Sequence, residues 1–249
     1  RAVRAREGVP GAEGRAALGG TPGGRWDRLP AERGPAVAPF QDAQRAIRVV
    51  RGRAQGLGSD PKRIGILGFA AGGNLAGIAE TRFADAFYAP IDATDKVSAR
   101  PDFAGLIYPV VSLRAPFDTT RSSRELATQK DSVQAYSAAL HVSHDTPPTF
   151  LAQGADDPIA NIGNSLVMFD ALKKNDVDAE LHVFDKGGHG WGLGDPGSAV
   201  AAWPRLFAAW ARRNGFFSAV DTSPFARAAS DTPASKTTAA NDDSGPDEN

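Results

Sequence analysis

The chain has 249 residues, 41% of them hydrophobic and 23% charged, a composition that supports one globular domain with a sizeable core. A formal net charge of −1 provides no global field for nucleic acid or a membrane surface, and the chain lacks an apolar run of about 18 residues that could span a bilayer. With no Cys there are no disulfides and no thiolate metal sites, so the compartment stays open; a signal peptide ahead of Arg1 would make the protein secreted or periplasmic.

Residues 1–38 are rich in Gly, Ala, Arg and Pro and follow neither apolar period, which predicts an irregular or disordered segment. Its seven arginines face four acidic residues with Trp26 the single aromatic among them, the pattern of a solvated basic stretch rather than a nucleic-acid arm. From Phe40 the character changes. Ala43, Ala46, Ile47, Val50, Ala54 and Leu57 fall at helical spacing, and Gly56 and Gly58 stop that helix. A turn at Asp60–Arg63 leads into an apolar strand, Ile64–Phe69, followed by a helix from about Gly72 to Phe83. Phe103–Tyr108 reads as a second buried strand. Residues 110–145 are mixed, with a helix near Ser132–Leu140, and could cap a site. Thr149–Gln153 is the next strand, and Leu166, Phe169 and Leu172 mark a helix ending near Lys174. Glu180–Phe184 is a further strand. Trp203, Leu206, Phe207 and Trp210 stripe a last helix that tolerates Pro204 in its first turn. From Ser218 the chain is Ser, Thr, Ala, Asp and Pro, which predicts a disordered tail over 218–249. Apolar strands alternating with helices over 39–217 imply a parallel sheet with helices on both faces, an α/β domain that binds ligands at the carboxyl ends of its strands.

Three post-strand loops carry candidate chemistry. Gly68-Phe69-Ala70-Ala71-Gly72 is a glycine-flanked turn between strand and helix. Where such a turn holds Ser at its centre, the Ser attacks acyl carbons and the next N–H steadies the oxyanion; here the centre is Ala70 and that N–H belongs to Ala71. Gly154-Ala155-Asp156-Asp157-Pro158 offers a carboxylate, Asp156 or Asp157, that can orient an imidazole. Lys186-Gly187-Gly188-His189-Gly190 offers a histidine free to approach as general base. The chain order of position 70, Asp and His is that of α/β-hydrolases. His182 lies in a strand and reads as structural, His141 and His144 as surface residues. Trp191 suits a pocket wall and core packing equally; Trp203 and Trp210 suit the core.

The stretches "DAQRAIRVVR", "DPKRIGILGFAAGGNLAG", "RPDFAGLIYP", "DTPPTFLAQGADDP", "NSLVMFDALKKNDVDAELHVFDKGGHGWGL" and "WPRLFAAW" together resemble α/β-hydrolase fold esterases of the acetyl-xylan-esterase and feruloyl-esterase-like group, over residues 40–217. The resemblance implies a Ser–Asp–His hydrolase of small acyl esters, many of them on carbohydrates, with no metal and no cofactor. It maps the nucleophile to Ala70, the acid to Asp157, the base to His189 and one oxyanion donor to Ala71. The implied partner is a small-molecule or carbohydrate ester, with no nucleic acid and no membrane.

Two departures qualify that mapping. The methyl group of Ala70 cannot attack a carbonyl, so a chain of this kind is expected to be catalytically impaired. The family's strands ahead of the "DAQRAI" helix, and the glycine loop that supplies a second oxyanion donor, lack an evident counterpart; "GGTPGG" at 19–24 is the one candidate. The expectation is that amino-terminal strands are missing and that the strand at 64–69 is left as an exposed apolar edge. Alternatives to an esterase are a non-catalytic ligand-binding protein, a truncated non-functional fragment, and a serine peptidase of the prolyl-oligopeptidase type, which the absence of a propeller disfavours.

Overall fold

The computed structural model describes residues 2–5, 16–17 and 36–218. Strands β1 (Ala2–Ala5) and β2 (Ala16–Ala17) precede helix α1 (Ala38–Gly52). In α1, Phe40, Ala43, Ile47 and Val50 recur at helical spacing and all are buried. Strand β3 (Gly65–Phe69) leads into α2 (Ala71–Thr81) with no intervening loop beyond Ala70. Strand β4 (Phe103–Ile107), the short helices α3 (Arg121–Leu126) and α4 (Ser132–Tyr136), strand β5 (Thr149–Gly154), α5 (Gly163–Lys174), β6 (Ala179–Phe184) and α6 (Trp203–Arg213) complete the order.

Strands β3, β4, β5 and β6 are parallel neighbours in that order. Side chains alternate between two apolar clusters, as the period of a strand requires. Ile66, Leu106 and Leu151 pack with α1, α2 and α5 on one face. Leu67, Ile107 and Phe150 pack with Trp203, Phe207 and Trp210 of α6 on the other. Helices therefore cover both faces. No described helix is long and apolar enough to cross a membrane.

The expectation that 64–69 forms the sheet edge is corrected. β1 runs parallel to β3, from Ala2 opposite Gly65 to Ala5 opposite Gly68, and β2 pairs antiparallel with β1. The first 38 residues are thus not wholly irregular, and strands do stand ahead of α1. A four-residue segment such as Ala-Val-Arg-Ala is too short to show a period, and main-chain pairing asks nothing particular of its side chains. "GGTPGG" at 19–24 and the tail from 219 lie outside the described residues. The helix expected over Ser132–Leu140 is broken at Ser137, whose extended backbone (φ −89°, ψ 99°) lets its hydroxyl accept from the Leu113 N–H at 2.9 Å. Strand β6 is only partly covered and, among the described residues, pairs on one side alone.

One polar group lies deep in the first cluster. Glu80 of α2 is fully buried, and burial pushes its carboxyl up to about 8. Its Oε1 has no hydrogen-bond partner among the described residues. The Thr149 hydroxyl lies 2.8 Å from Glu80 Oε2 and 2.9 Å from the Pro147 carbonyl. A single hydroxyl proton cannot serve both. A protonated Glu80 that donates to Thr149, while Thr149 donates to Pro147, satisfies both contacts.

Candidate active site

Because β3, β5 and β6 are parallel, the loops that follow them open on the same edge of the sheet. Ala70 follows β3, Asp157 follows β5 and His189 follows β6.

Ala70 stands at φ 49°, ψ −116°, a conformation that an L-residue adopts at a cost. Main-chain bonds hold it there. Its N–H donates to Ile107 O at 3.0 Å, and its carbonyl accepts from Gly73, Asn74 and Val110 at 2.9, 3.2 and 3.1 Å. The sharpness of the turn needs two glycines. A Cβ on Gly68 would stand 2.1 Å from Gly72 O, and one on Gly73 would stand 2.7 Å from the Pro109 Cβ. Ala71 opens α2 and is exposed. As the first N–H of a helix, its amide has no acceptor within that helix. Asn74, a turn further on, is buried and donates to the Tyr136 carbonyl at 2.9 Å.

The two neighbouring aspartates divide the loops between them. Asp157 Oδ2 lies 2.7 Å from His189 Nδ1, and its side chain is wholly buried. The same oxygen accepts from Gln153 Nε2 at 2.9 Å, and Oδ1 accepts from the N–H groups of Ile159 and Ala160 at 2.8 and 2.9 Å. Four N–H groups thus fix this carboxylate. With Nδ1–H donated to Asp157, the imidazole lone pair resides on Nε2. Asp156 Oδ1 instead accepts from the Gly187 and Gly188 N–H groups at 2.9 and 2.8 Å, anchoring the loop that carries His189. Those bonds, that from Gly188 first, hold the Asp156 carboxyl below the ordinary range.

The other singled-out residues are structural in their contacts. His182 pairs with Glu180 at 2.7 Å. The half-buried His141 meets the Gln134 carbonyl, and His144 is exposed beside Asp145. Trp203 and Trp210 are core, and Trp191 packs against the same cluster through Tyr108 and Phe184. Among the described residues, no group of three or more His, Asp or Glu gathers as metal ligands would. Tyr108 is the site neighbour that sequence reading passed over: its ring lies 4.9 Å from that of His189. The signal available was an aromatic at the carboxyl end of a buried strand, followed by Pro109.

A six-strand sheet, parallel except for β2 and covered by helices on both faces, with this turn and these loops on one edge, defines an α/β-hydrolase fold of the esterase kind. More narrowly, the chain belongs to the BD-FAE family, whose model matches residues 30–172. It is 28% identical over 174 residues to an acetylxylan esterase of Xylanibacter ruminicola, covering 67% of this chain and 33% of that protein. It is 29% identical over 154 residues to endo-1,4-beta-xylanase B of Butyrivibrio fibrisolvens, covering 61% and 24%. The chain therefore spans a third or less of the length of either relative. Among solved structures, it resembles the acetyl ester-xyloside bifunctional hydrolase of Caldicellulosiruptor lactoaceticus, with TM-score 0.67, 42% identity, and coverage of 73% of this chain and 67% of that one. It also resembles the carboxylesterase Cest-2923 of Lactobacillus plantarum, with TM-score 0.62, 25% identity, and coverage of 72% and 69%.

Proposed function

We propose that this chain carries the binding site and base machinery of a carboxylic ester hydrolase for acylated carbohydrates, and that Ala70 leaves it catalytically impaired, so that it binds esters better than it turns them over. The observation that carries this reading is the strained backbone at Ala70, the conformation of a nucleophile elbow, on the sheet edge shared with the Asp157–His189 pair. The substrate class rests on the relatives, one an acetylxylan esterase and one an acetyl ester-xyloside hydrolase.

In this reading His189 Nε2 is the proton acceptor, Asp157 holds the tautomer and steadies the imidazolium, and the Ala71 N–H faces the developing oxyanion. With Ser at position 70, the hydroxyl oxygen would bond to the acyl carbon while its proton passed to His189. The alcohol would then leave with that proton, and water would release the acid by the reverse route. A methyl group cannot begin this sequence. What remains is binding and oxyanion stabilisation, worth roughly 10³–10⁴-fold over water.

The test is p-nitrophenyl acetate hydrolysis by the purified chain, alongside calorimetric titration with acetylated xylo-oligosaccharides. Turnover should not exceed that of the His189→Ala variant, while binding persists. Turnover that His189→Ala abolishes would show that another nucleophile operates and would overturn the reading. Ala70→Ser alone should recover only part of a full esterase rate if a second oxyanion donor is lacking, since one donor is worth about 2.7–4 kcal/mol.

A further inference from the structure

We propose that Tyr108 is a positioning residue for His189: its ring fixes the rotation of the imidazole and its hydroxyl fixes the loop that carries it. The proposal rests on the reading of His189 and Asp157 as base and orienter.

Three observations converge on this side chain. The first is its backbone. Tyr108 has φ 39°, in the left-handed region that a bulky aromatic residue rarely enters. Its N–H is held by the Ala152 carbonyl of β5 at 2.8 Å. On either side, the Ile107 carbonyl and the Val110 N–H both bond to Ala70, and Pro109 closes on Gly73. The strained residue is thus stitched to the Ala70 turn on one flank and to β5 on the other. Strain of this kind persists only where its surroundings over-determine it, and it clusters at functional sites.

The second observation is the ring. It is almost wholly buried and lies 4.9 Å from the imidazole of His189 at an interplanar angle of 60°, within the range of a packed aromatic pair. Asp157 fixes one nitrogen of that imidazole, and the aromatic ring packed against it restricts rotation about that hydrogen bond.

The third is the hydroxyl. It accepts from the Gly192 N–H at 3.1 Å, three residues beyond His189. Asp156 binds the same loop two residues and one residue before His189, through Gly187 and Gly188. The base is therefore held from both sides. Trp191 packs edge-on against the Tyr108 ring at 4.6 Å, and the Trp203 indole N–H donates to the Gly192 carbonyl at 2.8 Å. Tyr108 is the side chain that touches both the base and its loop while its own backbone is tied to position 70. It sets the distance between the two halves of the site.

The experiment is histidine nitrogen NMR on the full chain, with Ala70 in place and His189→Gln used to assign the ring. In the unaltered chain, His189 should show one tautomer with a slowly exchanging Nδ1 proton. Tyr108→Leu should lose that proton signal and mix the tautomers, with His182 unchanged as a reporter of the fold. Tyr108→Phe should restore the single tautomer, because the ring returns, yet exchange the Gly192 amide about fivefold faster, because its acceptor is gone. If the Leu variant fails to fold, Tyr108→Met replaces the bulk without an aromatic face and should show the same loss at His189. An unchanged His189 tautomer in a folded Leu or Met variant would overturn the proposal, as would a Phe variant with mixed tautomers or unaltered Gly192 exchange. Asp157→Asn separates the two layers of argument. If it leaves the Nδ1 proton in place, the base-orienter reading fails, not the role of Tyr108.

Discussion

The turn after β3 and the loops after β5 and β6 reach the same sheet edge but are held by opposite means. Around Ala70 the shape follows from missing side chains, with Gly68 and Gly73 letting backbone approach backbone and main-chain bonds closing the turn. Around His189 it follows from side chains that are present, two aspartates that together accept five N–H bonds besides the contact to the imidazole. The difference shows why one half can lose its reactive atom and keep its form. The hydrogen bonds that close the turn run through the main chain at position 70, not through its side chain. Removing either carboxylate, by contrast, would strand donors.

The strongest way to break this contrast is Gly68→Val. A branched side chain there meets the Gly72 backbone, which has nowhere to go. We expect no soluble folded protein, or a loss of about 5 kcal/mol or more in urea unfolding. A near-native midpoint would mean that glycine packing does not set the turn.

The far end of α2 sharpens the contrast between carboxylates. Among the described residues, Asp157 has four N–H partners, whereas Glu80 has one hydroxyl and an unpaired oxygen. Below its ordinary pKa of 4.5, Glu80 carries its proton in the folded and unfolded chains alike. Between 4.5 and about 8 only the folded chain retains it, so stability falls as pH rises through this window and levels off above it, by a total on the order of 4 kcal/mol. Glu80→Gln donates to Thr149 as the neutral acid does. It should flatten that slope and raise stability at pH 8, measured by denaturation at pH 5 and pH 8. A slope equal to that of the unaltered chain would place the titration elsewhere.

Next in size is Asp157→Asn. One amide oxygen and one amide nitrogen cannot accept from all four N–H groups, and an unmatched buried donor costs about 2–3 kcal/mol. Urea unfolding at pH 7 measures it. A cost near zero would show that the loop rearranges freely and is not held by this carboxylate. The smallest effect is expected at Ala70→Gly, which should stabilise the chain by about 1 kcal/mol by removing the penalty of a positive φ. A destabilised Gly variant would mean that the methyl group, not the main chain, supports the turn.

Much of the fold was legible because its central strands are short, apolar and bounded by clear punctuation. The stretch Phe103–Tyr108 reads as a strand from its run of buried residues, and the stripe through Trp203, Phe207 and Trp210 reads as a helix from its spacing. β1 was not legible: Ala-Val-Arg-Ala joins the sheet by main-chain pairing, which leaves no mark on composition. Nor was α3, a six-residue helix whose visible cue is the capping Thr120. At the site, spacing marked three loops but could not separate Asp156 from Asp157, since adjacent residues differ in direction rather than in pattern. Tyr108 was hidden for a related reason. Its importance lies in a backbone twist and a ring contact, neither of which a single letter records.

The backbone at Ala70 also bears on descent. Alanine and serine codons can differ by one base, so the substitution that removes or restores a hydroxyl at this spot is among the easiest a gene can make. Because the unusual geometry is written into the main chain and its glycines, it passes unchanged through such a step in either direction. A lineage holding this turn therefore stays one mutation from presenting a hydroxyl there. Changes at Gly68 would need simultaneous repair elsewhere and would close that route.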